Sequence, residues 1–194
     1  MTNTAGKVIS GKSKVTGGVL TAPAGTTGRT DPKSGVPAGY SANGYVSEDG
    51  LSKTENRDVT TIKEWSGLVV KRTQTGFEVE FSFAFLEYLN ADAAKAIYGD
   101  DAVVVTPATA EHGEQMIVTV SGKESPRLAW IFDMADGDAV ISIEVPDAQV
   151  TATGDTSYNT SGAALRQVTL TAYFDDELGG FYRELSDDGI KVAA

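Results

Sequence analysis

Between Phe77 and Phe85 the chain alternates without a break. Phe77, Val79, Phe81, Phe83 and Phe85 are separated by Glu78, Glu80, Ser82 and Ala84. Successive side chains of a strand point to opposite faces, so this run has one dry face and one wet face. A helix would scatter the same five apolar groups around its axis. Such a strand needs neighbours to complete its hydrogen bonds and a second layer to cover its aromatic face.

The remainder of the body reads the same way. Gly44-Tyr45-Val46-Ser47 leads into Glu48-Asp49-Gly50, and an Asp-Gly pair suits a tight turn. Val59–Trp65 and Gly67–Thr73 are rich in β-branched residues. Further strands are expected at Ala102–Thr106, Gln115–Ser121, Arg127–Asp133, Ala139–Thr153 with an interruption at Pro146, and Leu165–Phe174. A last short pair is expected at Phe181–Leu185 and Gly189–Val192. One helix is expected over about residues 87–98, with Leu86, Leu89, Ala93, Ala96 and Ile97 on one stripe and Gly99 at its end. The expected fold is mainly β: an antiparallel sandwich or barrel with one flanking helix.

Residues 1–40 differ from the body. They hold Pro23, Pro32, Pro37 and a high density of glycine, which reads as an extended N-terminal arm or loop with one short strand within Lys14–Thr21. The expected division is therefore an arm, 1–40, and a β-sandwich domain, 41–194. Charge divides there too. Lys7, Lys12, Lys14, Arg29 and Lys33 face Asp31 alone in the first 40 residues, within a chain of net charge −11. An acidic body repels nucleic-acid phosphates and argues against a grip on DNA.

Several patterns that suggest chemistry fail on context. Gly6-Lys7-Val8-Ile9-Ser10-Gly11-Lys12-Ser13 matches a phosphate-binding loop, but such a loop follows a buried parallel strand and opens a helix. Five residues precede Gly6, and the segment beyond it is β-branched and then glycine-rich. Glu111-His112-Gly113-Glu114 lacks a second histidine or a cysteine; the chain has one histidine and no cysteine. Asp133, Asp136 and Asp138 lack the rest of a calcium loop and fit a hairpin turn around Gly137. No catalytic, cofactor or metal residue is assigned, and no enzymatic role is expected. Trp65 and Trp130 lie in strand-like segments and are expected in the core. The leading residues lack the apolar stretch of a secretory signal, and the apolar runs are too short to cross a bilayer as helices, so no membrane partner is expected.

One ordered set of segments resembles a known family. Val19-Leu20-Thr21-Ala22-Pro23-Ala24-Gly25-Thr26 is followed by Val36-Pro37-Ala38-Gly39-Tyr40 and by Gly44-Tyr45-Val46-Ser47-Glu48-Asp49-Gly50-Leu51. Next come Ile62-Lys63-Glu64-Trp65, Val69-Val70-Lys71-Arg72 and Phe81-Ser82-Phe83-Ala84-Phe85-Leu86-Glu87. Together they resemble the major tail tube proteins of bacteriophages with long, non-contractile tails, whose fold is similar to that of type VI secretion tube proteins. The resemblance implies six subunits per ring, a continuous inner barrel, and stacked rings forming a tube. The tube surrounds a tape-measure protein, ends at tail tip and terminator proteins, and later passes DNA without binding it specifically. The resemblance also implies assembly in the host cytoplasm and a place in the virion. Acidic wet faces make Glu78, Glu80 and Glu144 the candidate lumen-lining residues. Lys7, Lys12, Lys14, Arg29 and Lys33 are the candidate inter-ring arm contacts. The alternative is a β-sandwich carbohydrate-binding or adhesin module, which needs an exposed aromatic platform.

Overall fold

The computed structural model describes residues 7–14 and 18–191. In chain order the strands are β1 (Lys12–Ser13), β2 (Val19–Pro23), β3 (Ser41–Ala42), β4 (Ser52–Lys63) and β5 (Val69–Phe85). The helix α1 (Ala91–Tyr98) and a 3-10 turn at Asp100–Ala102 follow. Then come β6 (Val103–Thr106), β7 (Gln115–Val118), β8 (Arg127–Asp136), β9 (Ala139–Thr153), β10 (Arg166–Ala172) and β11 (Arg183–Asp187). Every pairing is antiparallel. The main sheet runs β3-β2-β8-β9-β10-β5-β4, with β1 continuing the β8 edge and β11 sharing the β9 edge with β10. β6 and β7 form a separate two-stranded ribbon.

The fold is the expected one, a β-sandwich with a single helix and no closed barrel. The sheet curls so that the inner face of β5 meets the segment entering β11. Phe77 lies 5.2 Å from Phe181, and Phe81 lies 5.7 Å from Tyr182, ring centre to ring centre. The dry face of β5 supplies Val79, Phe81, Phe83 and Phe85 to the core, all buried. Trp130 and Phe132 of β8 stack into them; Phe83 approaches Phe132 at 5.3 Å and Trp130 at 6.0 Å in edge-on geometry. Edge-on and offset aromatic pairs add to the burial term, so this cluster contributes to core stability beyond its buried area. α1 closes one end with Ala93, Ala96 and Ile97.

Local differences from the expected elements have local causes. The segments read as Gly67–Thr73 and Phe77–Phe85 are one strand, carried through Gly76 past a bulge opposite Asp58/Val59. β9 runs through Pro146 because a second bulge opposite Leu128/Trp130 removes the need for a ladder N–H there. The helix starts at Ala91 rather than 87. The Asn90 side chain accepts from the N–H groups of Asp92 and Ala93, which fixes the cap at that point. Leu86 and Leu89 therefore lie before the helix and are exposed. Of the expected strand within Lys14–Thr21, the described strand residues are Val19–Thr21, the start of β2; Lys14 follows β1, and 15–17 lie outside the described residues. In the last expected pair only Arg183–Asp187 is a strand. Residues 189–191 are irregular, and Val192 lies outside the described residues.

Candidate functional site

The most exposed part of the subunit is the β4–β5 hairpin. All twelve residues of β4 are exposed, and so are Val69–Thr75 of β5. Its tip is a compact turn. The Gly67 N–H donates to the Glu64 carbonyl, and the Glu64 N–H donates to the Leu68 carbonyl, both at 2.9 Å. Gly67 has φ +90, a backbone region that disfavours a side chain. The tip holds Trp65 at full exposure, 105 % of its reference area. The expectation that both tryptophans pack in the core therefore holds for Trp130 and fails for Trp65. β-branched spacing marks a strand, but it does not say whether a second layer lies over it. Val59, Ile62, Leu68, Val69 and Val70 on the same hairpin are exposed as well. A lone two-stranded ribbon is marginal in water, and clustered exposed apolar groups mark an interaction surface.

A second surface is the wet face of β4, β5, β10 and β9. Register places Ser52 opposite Ser82, Thr54 opposite Glu80 and Asn56 opposite Glu78. On the other side of β5, Thr169 faces Ser82 and Thr171 faces Glu80. Hydroxyls join across the strands: Ser82 Oγ to Thr169 Oγ1 at 3.0 Å, and Thr151 Oγ1 to Thr171 Oγ1 at 2.9 Å. Glu78 is exposed and Glu80 half-buried. The structure thus places both on one polar face, among hydroxyls and amides and, among the described residues, without a paired cation.

Glu144 is elsewhere. It is 3 % exposed, on the part of β9 paired with β11, and it anchors a buried ion cluster. Arg183 Nε donates to its Oε2 at 2.7 Å, and the Arg29 backbone N–H donates to Oε1 at 2.8 Å. The Arg29 guanidinium, 5 % exposed, reaches Asp133 Oδ2 at 3.0 Å. Gly28 is required here, because an added Cβ would stand 2.3 Å from Glu144 Oε2. A carboxylate enclosed in this way presents no charge to a channel. Nearby Tyr40 donates to the Thr26 carbonyl at 3.0 Å. Burial, aided by the Glu144 charge, pushes its hydroxyl pKa up to about 12.

The basic residues of 1–40 are mostly spent on the subunit's own body. Arg29 is buried as above, Lys14 lies 3.8 Å from Asp133, Lys12 3.7 Å from Asp136, and Lys33 2.8 Å from Asp187. Lys7 is exposed. Val19, Leu20 and Ala22 of the same stretch are core residues. The stretch is thus a strand plus a loop, 24–40, strapped across the sheet, and not a free arm over its described length.

Across residues 1–194 the sequence matches the family described as phage tail tube protein. The chain belongs to the phage tail tube protein family. It is therefore a structural protein of a phage tail and a component of the virion. Among solved structures it is similar to the anti-feeding prophage cap, the tube-terminating cap. That chain is 10 % identical with a TM-score of 0.42, over 93 % of this chain and 94 % of that one. So loose a superposition adds nothing to the fold. No curated protein matches the sequence.

Two exposed clips, at Ser10 and Lys12 and at Lys33, tie the N-terminal stretch of this tail tube protein to the sheet, and both titrate. The Lys33 ammonium and then the Gly189 N–H keep the Asp187 carboxyl below its ordinary value of 3.8. The Ser10 backbone N–H, with Lys12 nearby, does the same for Asp136. A carboxyl depressed on folding stabilises the fold above its unfolded pKa, and that contribution fades as pH falls through the folded value. Acidification below the ordinary carboxylate value of 3.8 is thus expected to release both clips before the core opens. Amide exchange should show Ser10 and Gly189 losing protection first, and D187N should remove the Gly189 response. An unchanged acid response in D187N would rule out the Lys33–Asp187 clip.

Proposed function

We propose that this protein builds the wall of a tail tube by joining copies of itself into stacked hexameric rings. The projecting hairpin carries the reading. Its backbone edges and apolar side chains have no cover among the described residues of the subunit, and copies of the same chain supply that cover without a new partner. The number six follows the family resemblance.

The wet face of β4, β5, β10 and β9 faces the lumen in this reading, with Glu78 and Glu80 as its charges. Carboxylates repel phosphates, and the surrounding hydroxyls give no cationic grip, so DNA slides through without being held. The tape-measure protein fills the same bore during assembly in the host cytoplasm, and tip and terminator proteins close the two ends. Lys7 meets the neighbouring ring, while Lys12, Lys14, Arg29 and Lys33 pair with carboxylates of the subunit's own body. The role is architectural and not catalytic. A glycan-binding module would need several exposed rings side by side, whereas Trp65 stands alone at a hairpin tip.

Electron microscopy of the purified protein tests the assembly: rings or tubes of constant bore are expected. Labelling tests the wall. E78C in assembled tubes should react with a small maleimide but be shielded from a polymer-linked maleimide wider than the bore. S161C, on an exposed loop, should react with both. Equal access of the bulky reagent to E78C would put that face on the outside.

A further inference from the structure

The subunit exposes apolar surface at both ends of β5. At one end is the hairpin tip, with Ile62, Trp65, Leu68, Val69 and Val70 exposed. Beyond the other end, Leu89 is 80 % exposed, and the β6–β7 ribbon sets Val104 directly opposite Ile117 with both side chains exposed. Between the segment entering α1 and that ribbon opens a cleft of about 770 Å³. Leu89, Ala91 and Val105 give it an apolar lining, and Glu87, Asp92 and Glu114 against Lys95 make it acidic. Clustered apolar groups left in water, with charged groups around them, mark a surface that another molecule covers.

We infer that the cleft beside the β6–β7 ribbon receives the hairpin tip of a second copy of this chain, an inference that rests on the tube reading above. The two surfaces carry opposite charge. Lys63, Lys71 and Arg72 surround the tip against Glu64 alone, and all four are exposed. Residues 86–125, which carry the cleft and the ribbon, hold seven acidic groups against Lys95, Lys123 and the one histidine. Among the described residues, none of the three tip cations makes an ion pair, and neither do the exposed Asp92 and Glu114 of the cleft. Charges of both signs are thus free to meet across an interface, where complementary potential sets partner and register. A tip cannot enter its own cleft. The seventeen residues of β5, at ~3.3 Å each, hold the two surfaces about 50 Å apart along the strand. Each copy therefore offers a tip at one end and an acceptor at the other. Joining unlike surfaces gives a head-to-tail contact, the kind that propagates a stack.

Charge reversal tests the contact. R72E and E114R each alter an exposed position, so both should fold with an unchanged melt. Each should raise the critical concentration for assembly roughly tenfold or more, since like charges then meet. R72E/E114R on one chain should recover assembly toward wild type, because the reversed tip of one copy then meets the reversed cleft of the next. The chain has no cysteine of its own, so W65C/L89C can report the same contact. Oxidised tubes of that double variant should give a ladder of covalent multimers, and neither single variant should. Tryptophan emission should shift to the blue on assembly, since Trp130 is already buried and only Trp65 has water to lose. If tubes form but the R72E and E114R defects add instead of cancelling, the docking is overturned and the conduit stands. The same follows if W65C alone forms covalent dimers. A wild-type chain that forms neither rings nor tubes would remove both readings.

Discussion

Replacing residues 59–75 with a two-residue Asn-Gly turn is expected to abolish tube formation and leave a folded subunit. Asp58 and Gly76 are directly paired, so a type I′ turn can join them without changing the register below. Every side chain removed is exposed, and none belongs to the core cluster. The thermal midpoint of the isolated subunit should therefore stay within a few degrees of wild type, because surface changes of this kind move stability by roughly 0.5 kcal/mol or less each. The assembly should lose its exposed apolar surface and its two open strand edges together. Sedimentation at concentrations where the wild type pellets should show only the small species. Tubes of normal diameter from the shortened chain would mean that the rings join through other surfaces, with the β6–β7 ribbon and its exposed Val104 and Ile117 the next to test.

The second large effect is on stability. R29A should destabilise the subunit by about 3–5 kcal/mol, the usual cost of leaving buried charge without its partner. The guanidinium sits between Asp133 and Glu144, both under a twentieth exposed. Its loss leaves Asp133 with only the more distant Lys14 ammonium at 3.8 Å, while Glu144 keeps only Arg183 and the Arg29 N–H. For a chain of this length each kcal/mol moves the midpoint by about 2–4 °C, so a fall of roughly 6–20 °C is expected in a thermal melt. R29M combined with D133N and E144Q should recover much of the loss, because the stranded charges go with it. If R29A melts within a degree or two of wild type, the cluster is not what holds the strap to the sheet.

Much of the site is built from residues whose role could not be seen in isolation. Glu78 and Glu80 were legible, since strict alternation puts both on the wet face of one strand. Glu144 obeys a similar local pattern, yet the loop carrying Gly28 and Arg29 lies over it, and Arg183 arrives from β11. Those partners are 115 and 39 residues away in sequence, and no window of local pattern spans them. The basic excess of residues 1–40 was equally visible, but not its destination. Intramolecular carboxylates stand within reach at all times, so they capture Lys14, Arg29 and Lys33 first.

The amino-acid order alone determined that this chain is a β protein with one short helix, because side-chain periodicity is a property of each strand by itself. It also determined the turns at Gly50 and Gly137, whose backbone angles suit few other residues. Which tryptophan is core and which is surface was decided only by tertiary structure. Trp130 lies on a strand with neighbours on both edges and a layer above, while Trp65 lies past the last residue that any layer covers. Burial is a relation between distant segments, and it is fixed by how the sheet curls and not by the pattern along any one strand.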